Sequence, residues 1–317
     1  MPSEGRVLLI GQGTTTLSAL QSLVDRFEVV GLIRSADAGD PAVRLADSSG
    51  IPLFGDTSLA GVDRAVSRTD PDAVVVSSYD RILPASLITA RPFVNVHYAP
   101  LPRYRGRATV NWAIINGDSH CAISIHSLVP GLDAGGILFQ QLVPIGLSDT
   151  VTDLYARLNA IQRDALAGAV ARRLHGEEGQ PQDEARATYA CTRLPDDGEI
   201  DWSGPTDAAE RLVRALTDPF PGAFTWLGLR RLVIVRAEPV HGPRYEGRVP
   251  GRVVRVDRSA GAIDVLTGDG VLRVHEVALD GGGPQRAADV ITSVRRTLGL
   301  STARLLAALE SREVRAR

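Results

Sequence analysis

Three short apolar runs near the start of the chain restrict its fold more than any other feature. Arg6 to Ile10 (RVLLI), Phe27 to Ile33 (FEVVGLI) and Ala73 to Val76 lack the polar alternation of a strand with one wet face. Runs of this length and character belong to strands covered on both sides, as in a parallel sheet between layers of helix. The intervening segments supply the helices. Leu17, Ala19, Leu20 and Leu23 recur at helical spacing after the turn Gly11-Gln12-Gly13, and Thr14, Thr15 or Thr16 stands where a helix cap belongs. Helices are expected at 41–49 and 62–68, with a short strand at 51–54. The pattern is β-α-β, and the expected class is α/β with a Rossmann-like, parallel-rich sheet.

A length of 317 residues predicts two domains. The spacing predicts strands over 93–96, 122–128 and 137–145, a helix over 110–115 and a long amphipathic helix over 148–174. The polar, Pro- and Gly-containing segment Glu177 to Ala185 then reads as a linker, which gives domains at 1–185 and 186–317. The second domain begins with a helix over 206–216, broken by Asp218-Pro219-Phe220-Pro221-Gly222. Short strands follow at 223–227, 232–237, 252–256, 262–266 and 271–277, the signature of a small open β-barrel (OB-like). Helices are expected over 286–298 and 302–317.

Composition excludes more than it assigns. Lys+Arg 35 against Asp+Glu 37 gives no global attraction to nucleic acid, although a local basic patch would still admit tRNA. Cys121 and Cys191 have no ligand-type spacing, and the scattered histidines form no HxxxH pair, so no metal is expected. No apolar run reaches the roughly 20 residues needed to cross a bilayer, and the first residues lack signal-peptide character, so the expected location is cytoplasmic. The sequence leaves the oligomeric state open, a homo-oligomer included.

Chemistry concentrates between Phe93 and Gly136. Asn95 and His97 lie two apart on a strand and so share a face. Asp133 stands in Leu132-Asp133-Ala134-Gly135-Gly136. Taken singly, each has an ordinary structural use: a lone Asp before a glycine pair is more often a turn residue. Taken together, an amide, an imidazole and a carboxylate suit an amine attacking an acyl or formyl carbon. The amide and a protonated imidazole donate to the developing oxyanion, each such donor being worth roughly 3–4 kcal/mol. The imidazole also moves the amine's proton, and the carboxylate orients it. No GxSxG elbow or activated cysteine offers a nucleophile, so direct transfer fits better than an acyl-enzyme. The GQGTTT turn lacks the third glycine of a dinucleotide fingerprint, which argues against an NAD(P)-dependent oxidoreductase.

Asn95-Val96-His97, Leu101-Pro102-Arg103-Tyr104-Arg105-Gly106, Trp112-Ala113-Ile114 and Leu132-Asp133-Ala134-Gly135 together resemble the 10-formyltetrahydrofolate-dependent formyltransferase family. Its members include enzymes acting on methionyl-tRNA and on amino-sugar nucleotides. The resemblance implies catalytic roles for Asn95, His97 and Asp133. It implies that Arg81, Ile82 and Leu83 line one wall of the site for 10-formyltetrahydrofolate, with Leu128, Val129 and Asp133 on the other. Asp196 to Trp202 and Arg214 to Phe224 are similar to the region that joins the family's catalytic domain to its small barrel. Arg105-Gly106-Arg107-Ala108 with Asn111-Trp112 looks closest to members that formylate 4-amino sugar nucleotides. On that likeness the expected acceptor is a nucleotide-linked amine, held near Gly11, Gln12, Gly13 and Thr14 and by Arg105 and Arg107. Methionyl-tRNA, an amino acid of the hydroxyornithine type, and a binding protein without turnover are the alternatives. Where the family usually has Ser-Leu-Leu-Pro, this chain has Ala99-Pro100-Leu101-Pro102, a stiffer loop without the hydroxyl.

Overall fold

The structure is a computed structural model that describes residues 4–35, 39–303 and 305–307. The chain divides into two compact units. The first comprises residues 1–110, 119–145 and 153–192, and the second 111–118, 146–152 and 193–317.

The first unit opens with β1 (Arg6–Ile10), α1 (Thr16–Leu23), β2 (Glu28–Ile33), α2 (Pro41–Ser48), β3 (Leu53–Phe54), α3 (Leu59–Thr69), β4 (Ala73–Ser77), α4 (Ala85–Ile88) and β5 (Phe93–His97). The chain continues through β6 (Arg105–Gly106), α5 (Thr109–Ile115), β7 (His120–Ser127), β8 (Ile137–Pro144), α6 (Val151–Leu174) and β9 (Tyr189–Ala190). Seven strands form one sheet in the order β3-β2-β1-β4-β5-β7-β8. The first five are mutually parallel, β7 runs antiparallel to β5, and β8 runs antiparallel to β7. The apolar runs behave as their composition requires: Val7 to Ile10 and Ala73 to Val75 have no exposed surface. The order reverses between β1 and β4, so their carboxyl ends flank a switch point, where such sheets hold ligands. There Gln12 N–H donates to Ser78 O at 2.8 Å, and the Thr15 hydroxyl meets those of Ser77 and Ser78 at 2.9 Å.

The second unit adds α7 (Thr206–Ala215) and β10 (Ala223–Leu227), β11 (Arg230–Pro239), β12 (Val253–Asp257), β13 (Ala262–Leu266), β14 (Val271–Leu279) and β15 (Gln285–Arg286), followed by α8 (Ala287–Val290). Its sheet is antiparallel, in the order β10-β11-β14-β13-β12 with β15 on β14. Among the described residues no ladder joins β12 to β10, so the sheet is open, as expected.

Two expectations need correction. The helix predicted over 286–298 is confined to α8. Beyond it the β-branched Ile291, Thr292 and Val294 disfavour helix, and residues 296–298 pair with 251–253 instead: Val253 N–H donates to Arg296 O at 3.0 Å and Leu298 N–H to Gly251 O at 2.8 Å. The helix predicted over 302–317 lies largely outside the described residues. The second correction concerns the segment read as a linker, Glu177 to Ala185, which is bound to the first unit. Gln180 and Ile137 exchange backbone hydrogen bonds at 2.8 and 2.9 Å, and Glu184 pairs with Arg105. Among the described residues no helix is long and apolar enough to cross a membrane.

Candidate active site

Strand β5 presents Asn95 and His97 on one face, and its antiparallel partner β7 places His126 directly opposite Asn95. His126 was missed by sequence reasoning. Its only signal is pairing register, which a single sequence does not display. It is fully buried. Its Nδ1 lies 2.9 Å from the Ser127 carbonyl, an acceptor only, so Nδ1 carries a proton and Nε2 faces the Asn95 amide. The Asn95 Nδ2 group lies 3.1 Å from that Nε2 and 3.4 Å from Asp133 Oδ1, one amide proton for each.

Asp133 closes the group. It sits at φ 48°, a left-handed conformation that a non-glycine residue holds only when its surroundings impose it. Its Oδ2 accepts from Gly106 N–H at 2.9 Å and faces His97 Nδ1 at 3.7 Å. His97 Nε2 lies 2.8 Å from the Tyr104 carbonyl, so that nitrogen carries a proton and Nδ1 is the basic one, directed at the Asp133 carboxylate. Asn95, His97 and Asp133 are therefore brought together, but with a division of labour that the sequence did not suggest. The His97 Nε2–H expected to serve an oxyanion is committed to Tyr104.

The electrostatics are consistent with this arrangement. Burial alone would raise the Asp133 carboxyl, but His97, His126 and the Gly106 N–H outweigh it and bring its pKa down to about 2. Burial pushes the His97 imidazole below its ordinary value, and Asp133 only partly restores it. At neutral pH the carboxylate is charged and the imidazole neutral. Both shifts favour the folded state at neutral pH and are lost on acidification. The unfolded chain takes up a proton at histidine below about pH 6.5, and at aspartate below about pH 4, before the folded chain does. Asp133 alone accounts for roughly 2–3 kcal/mol on this linkage. In urea unfolding, the stability gap between wild type and Asp133→Asn should narrow by about half between about pH 7 and about pH 3. A gap independent of pH contradicts the depressed carboxyl.

The walls follow from packing. Leu83 and Leu128 both rest on the apolar cluster that includes Leu87, Ile88 and Phe93. Ile82, Val129 and Leu132 leave 82%, 36% and 49% of their surface to solvent. Arg81 is exposed, with Asp80 at 4.0 Å. The departure at Ala99-Pro100-Leu101-Pro102 is compensated locally. The Ser124 hydroxyl donates to Ala99 O at 2.6 Å, and Gln140 Nε2 donates to Leu101 O at 2.9 Å.

The expected acceptor contacts fare differently. Gly11 and Gln12 donate their N–H groups to Ile33 O and Ser78 O, and the carbonyls of Gly11 and Gly13 accept from buried Arg34 at 3.0 and 3.1 Å. Those groups are occupied in holding the turn, and only Thr14 is exposed there. Arg105 is 2% exposed and binds Glu184 and Gln182 through its guanidinium. Arg107 is exposed. In the second unit, buried Asn111 donates to Ala215 O at 2.7 Å, and Arg193 lies over the Trp112 ring. The segment that carried the sugar-nucleotide likeness is thus largely absorbed by packing. Among the described residues no cluster of three His, Cys, Asp or Glu side chains is placed to hold a metal ion.

A parallel-rich α/β sheet carrying half-buried Asn95 and buried His97, with buried Asp133 on the turn beside them, followed by an open antiparallel sheet, fits a group-transfer enzyme of two-domain type. Residues 23–170 match the formyl transferase family and residues 194–295 match the formyl transferase C-terminal domain. The chain is 32% identical over 308 residues to a methionyl-tRNA formyltransferase of Marinobacter nauticus, covering 92% of this chain and 97% of that one. Among solved structures, HypX from Aquifex aeolicus in complex with tetrahydrofolic acid superposes with a TM-score of 0.67 at 17% identity. That match covers 92% of this chain but 48% of HypX, so this chain spans about half its length. A sugar N-formyltransferase from a Shewanella species gives 0.56 at 24% identity, covering 69% of this chain and 91% of that one. The last two likenesses concern the fold. This chain belongs to the formyl transferase family, and it is a folate-dependent formyltransferase that takes the formyl group from 10-formyltetrahydrofolate.

Proposed function

We propose that this enzyme formylates the amino group of methionyl-tRNA, with residues 1–185 as the catalytic domain and 186–317 as the C-terminal domain, acting in the cytoplasm. The observation that carries the reading is the end-to-end similarity to the Marinobacter enzyme, which extends through both domains. The occupied state of Arg105 and Asn111 supports it further, because it removes the feature that had favoured an amino-sugar nucleotide.

Bound between the loops of Ile82 and Leu128, 10-formyltetrahydrofolate supplies an electrophilic one-carbon unit. Leu83, Leu128 and Val129 offer it apolar contact, and Arg81 lies where an anionic group can be met. The chain's own residues handle charge and protons. His97, neutral because it is buried, takes the proton of the attacking amine at Nδ1, Asp133 holds the resulting imidazolium beside its Oδ2, and the proton then passes to the tetrahydrofolate nitrogen as its bond to the formyl carbon breaks. Asn95 is the donor for a developing oxyanion: His126 keeps one amide proton, and the other, only 3.4 Å from Asp133 Oδ1, turns to the substrate oxygen.

The test presents charged initiator tRNA, amino-sugar nucleotides and free amino acids to the enzyme with 10-formyltetrahydrofolate, and reads the mass of each product. A formyl group on methionyl-tRNA, with binding that weakens steeply as salt rises, is expected. Formylation of an amino-sugar nucleotide with no product on tRNA rejects the proposed acceptor and leaves the chemistry intact.

A further inference from the structure

Gln182 lies in the segment whose composition suggests a linker, yet its side-chain amide makes four hydrogen bonds. Its Oε1 accepts from Arg105 Nε at 3.3 Å and Nη2 at 2.8 Å, and its Nε2 donates to the carbonyls of Asp133 at 2.7 Å and Gly135 at 2.8 Å. The orientation of the amide is unambiguous, because a guanidinium can only donate and carbonyls can only accept. Arg105 is fixed in turn by the two oxygens of Glu184 at 2.8 and 2.6 Å, and by its own N–H on Thr188 O at 2.8 Å. The next residue, Gly106, donates to Asp133 Oδ2. The contacts form a closed ring: Asp133 carboxylate, Gly106, Arg105 side chain, Gln182, Asp133 carbonyl.

We propose that Gln182 is a positioning residue for formyl transfer, acting through Asp133 by clamping the turn that carries its carboxylate against Arg105. The inference rests on the catalytic role assigned above to Asp133. A left-handed non-glycine residue holds its place only if neighbouring bonds oppose its relaxation. Here two carbonyls of the same turn converge on one NH2 group. Without that donor both are left unpaired in a half-buried place, and the carboxylate is free to swing with the backbone. The hydrogen bonds of the Gln182 amide go to Arg105 and to the backbone of the turn, so its effect is on alignment rather than on chemistry.

Gln182→Glu separates alignment from bulk. It keeps the length and the acceptor towards Arg105, but puts an oxygen where the donor faced Asp133 and Gly135. Wild type, Q182E, Q182N and Asp133→Ala are compared for kcat, for the KM values of the formyl donor and of whichever acceptor the wild-type enzyme formylates, and for thermal midpoint. For Q182E we expect kcat to fall about 30-fold while both KM values stay within about threefold. Q182N, whose amide is retracted by one methylene, should fall in between, and it decides by the same criteria if Q182E does not fold. A kcat within about twofold of wild type, whether or not the midpoint falls, overturns the proposal and leaves Gln182 a structural residue. If Asp133→Ala is slow while the Gln182 variants are normal, only this inference fails. If Asp133→Ala itself turns over normally, the catalytic reading of Asp133 fails first and this one with it.

Discussion

Asp133→Ala should lower kcat about a hundredfold or more while the protein stays folded, and Asn95→Ala should do the same. The two effects have different sources, and kinetics can separate them. Removing the Asp133 carboxylate takes away the counter-ion for His97 and the acceptor of Gly106 N–H, so proton uptake at His97 Nδ1 becomes harder. With burial opposed only by the Tyr104 carbonyl, the His97 pKa drops further, and the acid limb of kcat/KM should move to lower pH. Asn95 sits 3.4 Å from Asp133 Oδ1, so its removal subtracts a donor without unpairing a charge. The limb should then stay near its wild-type position while the plateau falls. The double variant should lose much less than the product of the two single losses, because the residues share one network. Near-wild-type turnover in either single variant removes the role assigned to that residue.

How much of this was legible in sequence follows from which interactions are local. The buried strands β1, β2 and β4 were readable because a doubly covered strand must be apolar throughout. Asn95 and His97 were readable as neighbours because strand periodicity puts them on one face. Asp133 was grouped with them as an acid beside a Gly-rich turn further on, and the resemblance strengthened that grouping, but nothing within its own turn encodes the contact across the 38 residues that separate it from Asn95. His126 went unseen because its place beside Asn95 depends on antiparallel register. Arg105 is the opposite case. An arginine in a Gly-containing loop looks solvated or anion-binding, and only the return of the chain at Gln182 and Glu184 reveals that it is buried. The linker reading failed in the same way. Polar, Pro-rich composition predicts loop, but composition does not tell a free loop from one whose polar groups are all engaged. The helix expected over 286–298 failed because helical spacing of apolar residues did not outweigh β-branched residues with a nearby backbone segment to pair with.

Gly135→Ala is expected to be as damaging as loss of a catalytic side chain, although it adds one methyl group and changes no charge. A Cβ at Gly135 would lie 1.7 Å from the Ser127 carbonyl oxygen and 2.7 Å from its carbon, both backbone atoms of β7. No rotamer relieves such an overlap, so the 128–136 turn has to retreat by well over about 1 Å, a misplacement that costs on the order of a hundredfold in rate when it reaches the reacting groups. Retreat also pulls Gly135 O from Gln182 and Gly136 O from Ser127 N–H, so the Glu177 to Ala185 segment and the turn loosen together. Overpacking of this kind typically costs about 1–3 kcal/mol, which for a unit of this size lowers the thermal midpoint by roughly 2–12 °C. Gly55→Ala is the matched control, since a Cβ there meets nothing within 4 Å. If Gly135→Ala retains more than about a tenth of wild-type kcat, with a midpoint like that of Gly55→Ala, then the turn is plastic. The position of Asp133 would in that case be set by its side-chain partners rather than by the backbone that carries it.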